Sequence, residues 1–594
     1  MASAKHQQRR MLQACLFFSS LTFSLWVLAN DLAITSELGS SHSVAVIEQS
    51  GTYNTAMIAQ HGNGNASYKW LTKSPGFGSV YSYTHWGTGK SLQLNHRINL
   101  DQLYLKVEYS DQQGFQESAT LKVSDHFTKG DAGAMQLRLA DAAYSDGKST
   151  PAGANRKSAR EISNLIAKQE TQELSSRKLT DMVWAWGQFI DHDIVNTPGG
   201  TEKFNIQLPE GDPLRQQFAK ATHFEFTRSK GITDDNGIRQ QQNATTALID
   251  ASAVYGHSSD QTKQLRSFSG GRLKTSKGDL LPIIGGQQGP PQFQAGDHRA
   301  TENPLLSSVH TIWLREHNRL ADQLAKQHPG WSDEQIFQQA KRQVTGLIQH
   351  ITYNEFLPAL LGADAIKPYN GYDEAVNPGI STEFATAGYR VGHTLISDQL
   401  VKVDGDGQEL DAIALKDSFF NVQHILKGGI DSILNGATHQ VAQEVDTQLV
   451  DGLRNFLFGR GAQVSKDGAI PAMDLAARNI QRGRDHGIAD YNSLRQAVGL
   501  NKVSSFNDIT SDAELAGKLQ TAYGSVDDID AYIGGLAEDH INGGSVGELF
   551  SKIISQQFTA IRDGDENWFT GTSSGLSQNE IKTIQATSLA DVLK

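Results

Sequence analysis

The spacing of hydrophobic and polar residues changes along the chain near residue 130. Over residues 43–67 apolar and polar positions alternate with a period of two, which predicts short strands and turns. Residues 103–109 repeat this strand-like pattern. Further on, apolar residues recur every three to four positions, as in 306–324, which predicts helices. We therefore expect a small β-rich accessory region over residues 30–130 and a mainly α-helical domain over residues 131–594.

A short motif of Gln, Gly, Asn and Ala occurs twice within residues 43–67, with slightly altered spacing. It resembles the curlin repeat of amyloid fibre subunits, in which stacked Gln and Asn side chains form ladders. Fewer than two repeats are present, whereas a solenoid needs about three or more for stability. An ordinary polar β-hairpin is therefore the alternative interpretation.

The first residues are typical of an export signal. Three basic residues precede an apolar run over residues 11–28, and a small-residue cleavage site follows. We expect residues 1–29 to be removed from a secreted or periplasmic bacterial protein. An uncleaved membrane anchor is the alternative, because the run is close to the length that spans a bilayer.

Cysteine content and charge exclude several classes of function. The single cysteine, Cys15, lies in the predicted signal, so the mature chain has no disulfide, thiolate metal site or CxxCH haem attachment. Removing the three positive charges of the signal takes the formal net charge from -12 to -15. Such an acidic chain argues against nucleic acid as a partner.

Two clusters of polar residues carry candidate chemistry. Asp191, His192 and Asp193 interrupt an apolar stretch, and burying three ionisable groups together is costly unless each has a partner. A second cluster places oxygen-bearing groups at alternate positions, as Ca²⁺ prefers: Thr246, the carbonyl of Leu248, Asp250 and Ser252. Asp193 can complete this calcium shell, which would fix the position of His192.

Five motifs together resemble the haem peroxidases typified by myeloperoxidase and lactoperoxidase, in the peroxidase-cyclooxygenase superfamily. They occur in the family's order and are residues 188–193, 246–252, 299–302, 390–395 and 479–487. The resemblance extends from about residue 138 to the C-terminus. It implies a mainly α-helical haem domain of the myeloperoxidase type, with haem b and Ca²⁺ as cofactors.

The resemblance also implies roles around the haem. His192 is the expected distal base, which moves a proton between the two oxygens of peroxide, with Arg299 and Gln188 beside it. His393 is the expected iron ligand, and Asn479 the partner that orients its ring.

Four further residues are expected at the haem periphery. Arg390 and Arg482 are candidates for pairing with haem propionates, with ordinary salt bridges as the alternative. Asp191 and Glu302 are the positions that form ester bonds to haem in this family. Asn303 stands where myeloperoxidase has methionine, so a sulfonium link is not expected and efficient chloride oxidation is in doubt.

The implied activity is reduction of hydrogen peroxide through a ferryl haem, with oxidation of iodide, bromide, thiocyanate or phenols. A fatty-acid dioxygenase of the same superfamily is one alternative. Such enzymes need a tyrosine three residues before the proximal histidine, where this chain has Arg390, with Tyr389 one position away. A matrix or adhesion protein that carries a haem domain is the other alternative, with residues 30–130 making the fibre or matrix contact.

Overall fold

A computed structural model describes residues 130–594 except 219, 287–289, 459–463 and 471–472, together with the backbone of strands before residue 130. The chain divides into two compact units, Met1–Ala134 and Met135–Lys594. The predicted export signal at 1–29, the repeat at 43–67 and the accessory region at 30–130 all include residues outside those described. These three assignments stay predictions.

The strands described in the first unit pair in two antiparallel sheets, ordered β1-β2-β5-β6 and β4-β3-β9-β8-β7. They are β1 (Cys15–Phe18), β2 (Leu21–Leu28), β3 (Leu32–Ile34), β4 (Ile47–Gln49), β5 (Thr55–Gly62), β6 (Asn65–Thr72), β7 (Lys90–Asn99), β8 (Gln102–Asp111) and β9 (Gln116–Ser124).

The second unit is mainly helical, as expected. Its α-helices are α1 (Ala159–Ile166), α2 (Met182–Ile194), α3 (Pro213–Gln217), α4 (Ser252–Tyr255), α5 (Ser259–Leu265), α6 (Pro304–Gln327), α7 (Asp333–Ile351), α8 (Leu357–Leu361), α9 (Thr382–Thr386), α10 (Leu415–Ser418), α11 (Gln423–Gly428), α12 (Asp431–His439), α13 (Asp451–Arg454), α14 (Leu475–Asp485), α15 (Tyr491–Ala497), α16 (Ala513–Tyr523), α17 (Ala531–Ala537), α18 (Glu548–Asp563), α19 (Gln578–Gln585) and α20 (Leu589–Val592). Tighter 3₁₀ turns occupy His298–Thr301, Gly388–His393, Phe506–Asp508 and Val526–Asp528, and one π-helical turn, Thr352–Phe356, follows α7. In the described part of the chain, no helix is both long and apolar enough to cross a membrane.

Short strands in this unit join neighbouring loops and do not form a large sheet. They are β10 (Gly199–Lys203), β11 (Ile206–Gln207), β12 (His223–Phe224), β13 (Thr227–Ser229), β14 (Gly231–Thr233), β15 (Arg239–Gln241), β16 (Ile283–Ile284), β17 (Gln292–Phe293), β18 (Gln399–Val403), β19 (Glu409–Ala414) and β20 (Ala469–Ile470). All described pairings among them are antiparallel except that of β12 with β20.

Helix α2 carries the Asp-His-Asp motif in its last turns, and aromatic packing fixes the helix in the core. Trp186 and Phe189 are almost fully buried, and the Trp186 ring meets Trp313 of α6 edge-on at 5.9 Å. The Trp186 Nε1–H donates to Thr352 Oγ1 at 3.2 Å, so the buried indole leaves no polar atom unpaired. Because these contacts hold the apolar residues of α2, the ionisable residues that follow them have fixed positions.

A buried ionic cluster connects α1 to the start of α14. Arg160 is 1% exposed, and its guanidinium pairs with Asp212 at 2.7 Å and with Asp474 at 2.6 Å. Asp474 also caps α14 by accepting a hydrogen bond from the Ala477 N–H. The cluster therefore positions the helix that carries Asn479.

Replacing Arg160 with Met is expected to lower the apparent free energy of unfolding by about 3–5 kcal/mol, because two buried carboxylates lose their cation. Urea denaturation followed by far-UV circular dichroism measures this change. Lys157→Met is the matched control, since Lys157 pairs with Glu161 on the surface, and it should cost less than about 1 kcal/mol. Equal losses for the two variants would contradict the structural role of the cluster.

Candidate functional site

His192 lies buried near the end of α2, with its two ring nitrogens facing different carboxylates. Nδ1 is 3.8 Å from Asp297 Oδ1, and Nε2 is 3.9 Å from Glu302 Oε2. Burial and the nearby Arg299 hold the pKa of His192 well below its usual value. The ring is therefore neutral at neutral pH and can accept a proton.

Arg299 lies in the 3₁₀ turn beside the end of α2, as the sequence predicted for a neighbour of His192. Its Nη2 donates to Asp297 Oδ2 at 2.8 Å and to the carbonyls of His192 and Val195 at 3.3 and 3.1 Å. Its Nη1 is 4.0 Å from Asp191 Oδ2. The guanidinium thus places positive charge next to both His192 and Asp191.

Gln188 connects the two residues that follow this 3₁₀ turn. Its Nε2 donates to Glu302 Oε2 at 2.9 Å, and its Oε1 accepts from Asn303 Nδ2 at 3.0 Å. Burial raises the pKa of Glu302 to about 7. Asn303 also caps α6, because its side-chain oxygen accepts a hydrogen bond from the Leu306 N–H at 2.8 Å. Asn303 therefore has a structural role at the position where myeloperoxidase has methionine.

The segment that carries His393 is a tight helix. Residues Gly388–His393 form a 3₁₀ helix, whose side chains repeat every three residues, so Arg390 and His393 lie on the same side. Arg390 Nη1 lies 3.4 Å from Asp191 Oδ2, so the segment adjoins α2 directly. Asp191 Oδ1 is buried and has no hydrogen-bond partner in the described part of the chain.

His393 contacts Asn479 of α14, the pair that the sequence predicted. His393 Nδ1 and Asn479 Nδ2 are 2.8 Å apart, and burial followed by Arg390 lowers the pKa of His393 to about 3. With the amide nitrogen facing Nδ1, the ring proton belongs on Nε2. Metal ligation through Nε2 needs the opposite tautomer, which a half-turn of the Asn479 amide supplies by presenting its oxygen to Nδ1–H.

Arg482 is one helical turn beyond Arg478 on α14. Arg482 Nη1 donates to Asp485 Oδ2 at 2.7 Å and to Ser229 Oγ at 3.0 Å. Both guanidinium groups lie over the Phe226 ring, at 4.2 Å for Arg482 and 5.3 Å for Arg478. Arg478, which precedes Asn479 in the sequence, was not among the predicted site residues.

Two of the predicted calcium residues, Ser252 and Asp250, act on Asp193, and the other two, Thr246 and Leu248, bond Asp250. Asp193 Oδ1 accepts from the Ala253 N–H at 2.7 Å, and its backbone carbonyl accepts from Ser252 Oγ at 3.1 Å. Thr246 Oγ1 donates to Asp250 Oδ2 at 2.9 Å, and the Leu248 carbonyl accepts from the Asp250 N–H at 2.9 Å. Burial and the nearby Asp250 raise the pKa of Asp193 to about 7, because the two carboxyl groups lie close together.

Two groups of residues near His192 and Glu302 were not predicted from the sequence. Asp297 and His257 approach each other at 3.5 Å next to His192, and the only sequence signal was the capping position of Asp297 before the 3₁₀ turn. Phe420 and Phe458 form an exposed aromatic contact at 5.1 Å, and the Phe420 N–H donates to the Glu302 carbonyl at 3.1 Å. No local pattern indicated that these two phenylalanines meet.

Comparison with known proteins shows which family this site belongs to. The model of the family "Animal haem peroxidase" matches residues 122–594. The chain is a member of the animal haem peroxidase family, and the family and enzyme class predicted from the sequence are confirmed. Membership implies haem as the cofactor and hydrogen peroxide with small donors as substrates.

Individual relatives agree with this assignment. Peroxinectin A of Dictyostelium discoideum is 38% identical over 462 residues, which cover 73% of this chain and 84% of that protein. Thyroid peroxidase of Canis lupus familiaris is 33% identical over 77% of this chain, but the match spans only 55% of the relative's length.

The fold agrees as well. The solved structure of peroxidase A from Dictyostelium discoideum superposes with a TM-score of 0.71 at 34% identity and covers 78% of this chain and 93% of that one. A fatty acid α-dioxygenase from Arabidopsis thaliana superposes with a TM-score of 0.67 at 18% identity over 78% of each chain, which shows a shared fold alone.

Replacing Asn479 with Leu is expected to weaken haem binding by about 10- to 100-fold, because His393 loses the partner that orients its ring. Transfer of haem to apomyoglobin measures the release rate. Asn492→Leu is the control: it removes a buried amide that bonds Val503 and Asp527 and does not touch His393. Haem release at equal rates from both variants would count against this role of Asn479.

Proposed function

We propose that this protein is a haem peroxidase that reduces hydrogen peroxide and oxidises small donors, namely iodide, bromide, thiocyanate or phenols. The observation that carries the proposal is the pair of neutral imidazoles, His192 and His393, on adjoining segments that the Arg390–Asp191 contact joins. Bound haem would supply the redox chemistry that splits the peroxide O–O bond. His393 would bind the iron, and His192 would act as the base on the side of the haem where peroxide binds.

The residues of this chain fit a haem between those two histidines. With the Asn479 amide turned so that its oxygen accepts from Nδ1–H, His393 would keep Nε2 for the metal. Asp191 Oδ1 is buried without a hydrogen-bond partner among the described residues, which is costly unless another group satisfies it. We infer that Asp191 and Glu302 form the ester bonds to the haem methyl groups. Arg390 and Arg482, with Arg478 beside them, are the cations available for its propionates.

The distal residues divide the acid-base work. Neutral His192 accepts a proton from peroxide at one oxygen and returns it to the other, so that water leaves. Arg299 stabilises the negative charge that develops as the O–O bond breaks. Gln188 fixes Glu302 by donating a hydrogen bond to its carboxyl group, and accepts one from Asn303.

The aromatic contact next to Glu302 favours phenols among the donors. Phe420 and Phe458 are 45% and 41% exposed, and both have left-handed backbone conformations, with φ of 52° and 57°. Such strain is found preferentially at functional sites. Two exposed rings next to Glu302 provide a stacking surface for an aromatic donor.

We also propose Ca²⁺ between Asp193 and the loop 246–252. A cation would stabilise the ionised form of Asp193, whose pKa burial and the nearby Asp250 raise. No group of three His, Cys, Asp or Glu side chains forms a metal cluster in the described part of the chain. The remaining ligands would therefore be hydroxyl and carbonyl oxygens from Thr246, Leu248 and Ser252, which suit a hard cation.

We also propose that the N-terminal region directs secretion of the protein and its attachment to a fibre or matrix. The export signal at 1–29 would deliver the protein outside the cytoplasm or to the periplasm. Residues 30–130 would contact a fibre or matrix through the curlin-like stretch at 43–67. A variant lacking residues 30–130 should keep peroxidase activity and lose surface retention.

The dioxygenase alternative depends on Tyr389. Its ring is stacked on Phe384 at 4.8 Å and packs near Phe558 at 5.5 Å, within the core. Oxygen uptake with linoleate in the absence of peroxide would favour this alternative. We expect none.

His192→Ala is expected to slow the reaction of the haem protein with peroxide by about 10²- to 10⁴-fold, because the proton acceptor is lost. Stopped-flow measurement of the Soret band after one equivalent of peroxide gives the rate constant. His439→Ala, which removes an exposed imidazole bonded to Asn435, should leave it unchanged. An unchanged rate in His192→Ala would overturn the distal assignment.

Asp193→Asn is expected to abolish stoichiometric calcium binding, because the amide keeps the shape but loses the charge of the ligand. Elemental analysis of the purified protein measures bound calcium, and melting with and without chelator measures the stability that calcium adds. Asp404→Asn is the control, since Asp404 only caps an exposed turn. Full calcium content in Asp193→Asn would contradict the proposed site.

A further inference from the structure

Arg299, His192 and His257 all face the carboxylate of Asp297. The residue is fully buried. Its Oδ1 accepts from the Arg299 N–H at 2.8 Å and from Arg299 Nε at 2.9 Å, and its Oδ2 accepts from Arg299 Nη2 at 2.8 Å. The same two oxygens face His192 Nδ1 at 3.8 Å and His257 Nε2 at 3.5 Å.

Asp297 is ionised in this arrangement. Burial alone would raise the pKa of Asp297, but His257 and Arg299 hold it below its usual range. A carboxylate accepts hydrogen bonds and donates none. Its negative charge therefore favours a proton on each ring nitrogen that faces it, Nδ1 of His192 and Nε2 of His257.

This orientation decides which nitrogen of His192 can act as a base. Nδ1 is buried and has no hydrogen-bond partner within the described residues, and the carboxylate at 3.8 Å favours the proton on that atom. The separation exceeds a direct hydrogen bond, as is common for catalytic contacts before substrate binds. Nε2, which lies 3.9 Å from Glu302 Oε2, then keeps its lone pair for the proton of peroxide.

His257 supports the second oxygen of Asp297. Its Nδ1 lies 2.6 Å from Thr245 Oγ1, and Thr245 Oγ1 also lies 3.0 Å from the Asp193 carbonyl. When Thr245 donates to Nδ1, the ring proton is on Nε2 and faces Asp297 Oδ2. Thr245 also connects His257 to Asp193, the residue after His192.

We propose that Asp297, held by His257, is a positioning residue that fixes His192 as the Nδ1–H tautomer and so makes its Nε2 the proton acceptor. The inference rests on the proposed function. The arrangement follows the logic by which a buried carboxylate orients a catalytic imidazole. Asp297 faces His192 Nδ1, and His257 faces Asp297, so we assign both residues a positioning role and no direct step in the chemistry.

Other charged groups also face His192, and the test must separate them from Asp297. They are Arg299, Glu302, His310 and Arg390. Asp297 also orients Arg299, so a variant of Asp297 can slow the reaction through either neighbour. Double variants distinguish the two routes.

The first experiment uses Asp297→Asn in the haem-loaded protein. The amide keeps the size of the side chain but can present an N–H to Nδ1, which favours the wrong tautomer. We expect the rate constants for peroxide reaction and for cyanide association, which also delivers a proton to the distal base, to fall about 100-fold or more. Haem content and the ferric spectrum should match the parent protein.

His257→Gln is the second variant, because it leaves every Arg299 contact in place. We expect a loss of about 10-fold in both rate constants, typical of a supporting residue. His439→Gln, an exposed imidazole, is its matched control. The melting temperatures of haem-free and haem-loaded variants show whether folding is retained.

The decisive comparison places Asp297→Asn in a His192→Ala background. If Asp297 acts through His192, the second change should lower the remaining rate by less than about 2-fold, whereas in an Arg299→Gln background most of the effect should persist. Full additivity with His192→Ala, or full rates in both single variants, would overturn the inference. Failure of the parent protein to bind haem or to react with peroxide would instead overturn the proposed function.

Discussion

Keeping two buried imidazoles uncharged is the constraint on which the rest of this structure depends. A protonated His393 cannot ligate iron, and a protonated His192 cannot accept a proton from peroxide. Burial lowers the pKa of both rings, and adjacent arginines add to the effect, Arg299 at His192 and Arg390 at His393. Both arginines pair with carboxylates. The positive charges therefore remain in the site while the two histidine rings stay neutral.

The last turn of α2 is anchored on both sides of His192. Asp191 contacts Arg390 on the segment of His393, and Asp193 accepts hydrogen bonds from the loop at 251–253. One short stretch of helix therefore connects the proposed iron ligand, the base and the proposed calcium site. Removing calcium or moving the His393 segment would then displace the base, although neither touches it directly.

Much of this arrangement was predictable because it depends on residue types at fixed spacings. The helical domain follows from apolar periodicity, and the pairing of His393 with Asn479 and the gathering of Thr246, Asp250 and Ser252 near Asp193 follow from motifs that resemble a family. The role of Asp297 was not predictable, because its contacts with His192 and His257 join segments far apart in sequence. The 3₁₀ geometry of Gly388–His393 and the meeting of Phe420 with Phe458 depend on tertiary packing, which local patterns do not encode.

Resonance Raman spectroscopy of the ferrous haem protein tests the central claim most directly, because it detects the bond between iron and an imidazole. We expect an iron–histidine stretching band in the parent protein, its loss in His393→Ala, and its return when imidazole is added to that variant. A band that persists in His393→Ala, or its absence from the fully loaded parent protein, would contradict the assignment of His393 as the ligand.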